Sequence, residues 1–160
     1  MKAETMRTLT LLIMMSSLWI TGCASQPDHE LKTCTPTPYD EIGPFYRPDA
    51  PIRMSVGKGY VLSGKVLSLD GCTPLPKSKI EFWLVNPKGE YDDAHRATVY
   101  TDKKGKYRFE CNRPPVYIGR LPHIHMKITA GGHEDLITQH YPKENKKKDV
   151  FNIVLEPLHK

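Results

Sequence analysis

The stretch RATVYTDKKGKYRFEC, residues 96–111, carries the plainest structural signal in the chain. β-Branched and aromatic residues stand on both sides of Asp102-Lys103-Lys104-Gly105, with glycine where a tight turn needs a left-handed backbone. The spacing predicts a hairpin of two short strands, 96–101 and 106–111. Outward from it, the runs 60–67, 78–85, 124–130, 136–140 and 149–155 read the same way. In 78–85, Ile80, Phe82 and Leu84 alternate with Glu81, Trp83 and Val85, so opposite faces of one strand are marked. No stretch after residue 22 keeps a helical period for a useful length. Short strands punctuated by 14 Pro and 11 Gly predict an all-β fold, an antiparallel β-sandwich of about seven strands over residues 39–160.

The beginning of the chain has a different character. Lys2 and Arg7 precede an apolar run, residues 9–20, too short to span a bilayer and ending in small residues. Ile20-Thr21-Gly22-Cys23 resembles the lipobox of bacterial lipoproteins, in which the cysteine is acylated. Residues 1–22 are therefore expected to be a lipoprotein signal peptide, and residues 23–38, polar and Pro-rich, a tether lipidated on Cys23. The expected location is the bacterial cell envelope, in the outer membrane if the host is Gram-negative, since Ala24 rather than Asp follows the cysteine. An oxidising compartment would then join two of Cys34, Cys72 and Cys111 and leave one thiol, with all three pairings open. The net charge of +5 is concentrated in Lys143, Lys146, Lys147 and Lys148. That cluster reads as a solvated turn, or as a face toward anionic lipid, rather than a nucleic-acid surface.

His123-Ile124-His125 is the first candidate site. On a strand, both imidazoles share one face while Ile124 points into the core, and Pro122 suits the strand's first position. With seven His in the chain, such a pair is weak evidence alone. No H-E-x-x-H accompanies it, and Glu134 and Asp135 fall in a turn. Tyr91 in NPKGEYDD and Tyr117 in RPPVYIGR sit instead beside Gly- and Pro-marked turns. A phenol is a poor ligand until a hard trivalent cation displaces its proton. Two phenolates, a hydroxide and two neutral imidazoles would balance Fe(3+), whereas divalent zinc would be left with surplus negative charge.

Taken in order, these pieces resemble the intradiol ring-cleavage dioxygenases, the family of protocatechuate 3,4-dioxygenase and catechol 1,2-dioxygenase. The resemblance covers residues 35–144 through TPTPYDEIGPFYRP, GKVLSLDGCTPLPKSKIEFWLVNPKGEYD, HRATVYTDKKGKYRFE, YIGRLPHIHMKI and LITQHY. It implies one Fe(3+) per chain held by Tyr91, Tyr117, His123 and His125, a catechol-type substrate, and O2. It further implies that Tyr117 is the ligand that substrate displaces and that it takes a catechol proton. Arg120 would stabilise charge on the ring, and Gln139, Gly43 and Pro44 would line the substrate pocket. Glu41 stands where threonine is usual in the family, which disfavours a ring carboxylate. Self-association stays open. Two other readings remain on the residues alone: an exported transthyretin-like sandwich that binds without catalysis, and a zinc hydrolase built on the H-x-H pair.

Overall fold

A computed structural model describes residues 33–159. The expected signal peptide, 1–22, and Cys23 lie outside them.

Eight strands form two four-stranded sheets. They are β1 (Tyr60–Ser68), β2 (Lys79–Val85), β3 (Tyr91–Tyr100), β4 (Lys106–Cys111), β5 (Ile124–Thr129), β6 (Leu136–His140), β7 (Lys148–Val150) and β8 (Ile153–Leu155). One sheet runs β3-β2-β5-β6 and is antiparallel throughout. In the other, β1 pairs with β4 on one side and with β7 and then β8 on the other. Both β7 and β8 run parallel to β1, so the sandwich is mixed and not purely antiparallel.

The stretch at 96–111 makes a turn but not a hairpin. Gly105 takes φ +69°, as expected, and the Asp102 carboxylate caps the turn, accepting from the Lys104 and Lys106 N–H groups at 2.8 Å each. Beyond the turn the strands part: β3 pairs with β2 in one sheet and β4 with β1 in the other. The turn itself packs closely on β1 and the segment after it: a Cβ at Gly105 would sit 2.8 Å from the Val66 carbonyl and 3.0 Å from Pro74 Cβ. Local sequence specifies the turn; packing of both apolar faces decides where each arm goes.

The run expected at 149–155 is likewise two strands. Phe151 N–H donates to the Ser63 carbonyl at 2.8 Å, and Lys65 N–H donates to Asn152 Oδ1 at 3.0 Å. The chain can cross here because residue 64 is glycine: a Cβ would lie 2.0 Å from the Phe151 carbonyl oxygen.

Alternation places the core as read. Ile80, Phe82, Leu84, Ile124, Met126 and Ile128 meet Leu62, Val66, Phe109 and Ile153 between the sheets. Their opposite-facing neighbours, Glu81, Trp83 and His125, are buried as well. They are covered by residues 37–50, which run over the outer face of the antiparallel sheet. Asp40 N–H donates to the Ile137 carbonyl at 2.9 Å, and Thr98 N–H to the Pro51 carbonyl at 2.8 Å. The last residues of the expected tether, 34–38, lead into this cover from the other sheet. Thr37 N–H donates to the Val154 carbonyl at 3.1 Å, and Cys34 is bonded to Cys72. Cys111 is the buried free thiol.

Candidate metal and substrate site

The β5 register sets the two histidines. His125 lies opposite Trp83 on β2 and Gln139 on β6, so all three side chains share the sheet's outer face. Trp83 stacks on the His125 ring, centroids 4.9 Å apart and planes 7° apart, which fixes its orientation. His123 stands just before the strand, where its Nδ1 hydrogen-bonds the Leu121 carbonyl at 2.7 Å. A carbonyl only accepts, so the proton is on Nδ1 and the Nε2 lone pair is free.

Tyr91 is delivered from β3. The turn at 86–89 is held by Asn86, whose side-chain oxygen accepts from the Lys88 and Glu90 N–H groups at 2.8 and 3.1 Å. Past it, the β2–β3 register jumps from Trp83↔Arg96 to Val85↔Tyr91, so β3 carries extra residues in a bulge. Such bulges re-aim a strand end. The result is that Tyr91 Oη lies 3.2 Å from His123 Nε2 and 3.0 Å from His125 Nε2. Three donor atoms converge.

Tyr117 approaches through its ring, 5.3 Å from that of Tyr91 and edge-on at 86°. It sits on a two-residue turn in which Tyr117 and Arg120 exchange backbone hydrogen bonds of 3.1 and 2.8 Å. Ile118 and Gly119 both have positive φ, +45° and +74°. The turn puts Arg120 beside the tyrosine, and Arg120 Nη2 donates to Gln139 Oε1 at 2.9 Å. Gln139 Nε2 in turn donates to the Glu41 carbonyl at 2.7 Å. Gly43 closes over His125 at φ +68°, and a Cβ there would come within 3.2 Å of His125 Cε1. Glycine meets both demands. Pro44 is exposed beside it.

Several residues of the site were not singled out from the sequence. Phe45 stacks on Tyr91 at 4.4 Å and 15°, and its carbonyl accepts from buried Arg96 Nη1 at 2.6 Å. Tyr141 donates to Asp40 Oδ2 at 2.9 Å, and Asp40 Oδ1 accepts from the Glu41 N–H at 2.7 Å. Asp40, not Glu41, is thus the carboxylate fixed at the site; the Glu41 side chain is exposed. The strand period held one clue, because Tyr141 follows Gln139 by two and so shares its face.

The electrostatics favour neutral imidazoles. Burial depresses His123, and with help from His123 and Arg120 it pushes His125 down to about 3. Nearby Glu41 raises His125 slightly, but His125 Nδ1 makes no well-formed hydrogen bond. Burial first, then Tyr117, pushes the Tyr91 phenol up to about 12, against the opposing pull of Arg120 and Arg96. In the protein alone Tyr91 is a phenol; only a strong cation makes it a ligand. Among the described residues no group of three or more His, Cys, Asp and Glu side chains is placed to hold a metal ion. The third donor beside the two histidines is a tyrosine.

No protein-family profile matches the chain. It is 32% identical over 141 residues to catechol 1,2-dioxygenase of Candida albicans, covering 64% of this chain and 46% of that protein. It is 30% identical over 141 residues to catechol 1,2-dioxygenase of Acinetobacter baylyi, covering 64% and 45%. The chain thus spans about half the length of the curated relatives it matches. Its fold matches the dioxygenase domain of a dioxygenase–carbohydrate-binding fusion from Streptomyces sp. SirexAA-E, with TM-score 0.70 and 28% identity, over 78% of this chain and 100% of that domain.

Proposed function

With a chain related in sequence and fold to the intradiol ring-cleavage dioxygenases, we propose an enzyme that cleaves a catechol-type diol between its hydroxyls with O2. The product is a cis,cis-muconate-type diacid. The observation that carries the reading is the convergence of Tyr91 Oη on both His123 Nε2 and His125 Nε2 at 3.2 and 3.0 Å.

The donor set suits ferric iron. With two imidazoles kept neutral by burial, two phenolates and a hydroxide would balance a trivalent cation, whereas a divalent ion would be left with surplus negative charge. Tyr91, Tyr117, His123 and His125 would hold it, and bound Fe(3+) would supply the means of activating a chelated catechol toward O2. The rest is the work of side chains. Tyr117 Oη makes no protein hydrogen bond among the described residues, and with its proton displaced by a bound cation it would be able to take a catechol proton. Arg120 is steadied through one nitrogen by Gln139, which leaves its other N–H groups for negative charge building on the ring. Phe45 and Trp83 wall Tyr91 and His125 from water. The Asp40 carboxylate, held by the Tyr141 hydroxyl, supports a neutral ring over one bearing a carboxylate.

Oxygen-electrode assays of the iron-loaded protein on a catechol panel, run with 18O2, test the reading. Oxygen uptake with both labelled atoms in a ring-opened diacid is expected. No uptake on any catechol, or a colourless protein carrying stoichiometric zinc, would overturn it.

We also propose that the mature chain is acylated on Cys23 and held at a bacterial envelope, on the order of charged, apolar and small residues before that cysteine. Metabolic labelling with a palmitate analogue, lost in Cys23→Ser, tests it.

A further inference from the structure

Beside the site lies a groove of about 730 Å³, within the range of small-molecule pockets. Val116, Leu121, Pro122, Tyr141 and Pro142 form its apolar side, and charged and polar residues, Arg113 and 143–145, line the other. Two of these residues touch residues of the site from outside. The Leu121 carbonyl accepts from His123 Nδ1 at 2.7 Å, and the Tyr141 hydroxyl reaches Gln139 Oε1 at 3.2 Å. The groove therefore continues outward from the His123–Arg120 side of the centre.

Its residues are exposed where a protein ordinarily hides them. Val116 is 63%, Leu121 69% and Ile118, at the turn tip next to them, 82% exposed. Ile118 also holds φ +45°, in a turn whose central positions usually take Asn, Asp or Gly. A β-branched residue is strained there and gains no burial in return. Clustered exposed apolar residues beside a catalytic centre mark a surface that something apolar covers.

We propose that this groove binds the apolar ring substituent of an extended catechol, an alkyl or aryl chain para to one hydroxyl, while the diol sits at Tyr91, His123 and His125. The inference rests on the catechol reading above and adds the substrate class to it. The chain's contribution is then additive in methylenes, because each buried one gains a fixed transfer energy.

The test is a kcat/KM series on catechol and its 4-methyl, 4-butyl and 4-hexyl derivatives. An increase of up to about a thousandfold from methyl to hexyl is expected, about fourfold per fully buried methylene. Val116→Asp and Leu121→Asp, both at exposed positions, should lower the hexyl-to-catechol ratio by roughly tenfold or more. A series that is flat or falls with length, in a protein that cleaves catechol, overturns the groove and spares the catechol reading. So does a ratio unmoved by either variant, or a Val116→Asp effect that tracks a change in oligomeric state, which would make a second copy the occupant. If no catechol is cleaved, the catechol reading fails, and calorimetry with 4-hexylresorcinol, which has no adjacent hydroxyls, judges the groove alone. Binding weakened by Val116→Asp supports it; binding that is absent or unchanged overturns it.

Discussion

Tyr91 and His125 come from different strands, β3 and β5, yet their Oη and Nε2 atoms lie 3.0 Å apart. The bulge that ends the β2–β3 register and the Trp83 stack on His125 together set that distance. Loss of the Tyr91 oxygen should therefore remove a metal donor while leaving packing intact. In Tyr91→Phe the ring can still stack on Phe45, so stability should change by less than about 1 kcal/mol. Ferric iron bound per chain, and the visible tyrosinate-to-iron absorption, should fall sharply, with activity down by a thousandfold or more on the order expected for a lost essential group. Retained colour and full iron content would count against Tyr91 as a ligand.

Arg120 is aimed by Gln139, and Gln139 is tied to the Glu41 carbonyl on the covering segment. Gln139→Ala cuts both links. It should lower kcat by roughly ten- to a hundredfold with a smaller change in KM, the pattern of an interaction used mainly in the transition state. Gln139→Glu keeps a partner for Arg120 but replaces the amide donor to Glu41, so partial rescue is expected. Steady-state kinetics on both variants separate aim from simple structural support, since a purely structural residue would change Tm without this split.

Most of the sandwich was legible because period-two alternation is strong in β2 and β5, where Phe82 and Met126 face inward and Trp83 and His125 outward. Strand pairing was less so. The Asp102–Gly105 turn looks like a hairpin locally, and packing beyond it pairs one arm with β2 and the other with β1. For the site, Tyr91, His123 and His125 could be named from motif and spacing, but their convergence depends on a bulge that no local pattern announces. Glu41 was named for its place in the family motif and Asp40 was not, since adjacent acids in an irregular segment have no period to say which points inward. Packing against Tyr141 decides it.

His140 provides a pH test away from the metal donors. Burial holds its imidazole down to about 4, and its Nε2 meets the Tyr60 hydroxyl at 2.6 Å. The unfolded chain takes up this proton near the ordinary value of 6.5, while the folded chain resists until about 4. The unfolded state thus binds more protons in between, so stability is full above pH 6.5 and declines as pH falls toward 4. Thermal melts from pH 7 to pH 4 should show Tm dropping, with a shallower drop in His140→Gln, whose amide can still accept from Tyr60. An equal slope in the variant would move the effect elsewhere.

Gly64 supports a backbone crossing instead of the site. Any Cβ at this position would meet the Phe151 carbonyl, so the segment between β7 and β8 must move or β1 must deform. Gly64→Ala should cost about 2–4 kcal/mol, above the usual range for a single methyl because the obstacle is backbone. Denaturant unfolding measures it. A cost under about 0.5 kcal/mol, the scale of an ordinary surface change, would mean that the crossing is looser than described.

The Cys34–Cys72 bond links the covering segment to the end of the turn after β1, across a sequence separation of 38. Closing a loop of that size removes unfolded-chain entropy worth about 4 kcal/mol at room temperature. The bond also fixes the start of the segment that carries Asp40 and Gly43 over His125. Two effects should separate in the Cys34→Ser, Cys72→Ser double variant. Unfolding stability should fall by about 2–5 kcal/mol, the range usual for loss of a native bond in a small domain. KM should rise more than kcat falls, because the cover positions substrate while Tyr91, His123 and His125 are held by strands that the bond does not touch. Iron content should stay near one per chain. If iron is lost together with stability, the cover contributes to the metal centre itself, and the division between a strand-held centre and a bond-held lid fails.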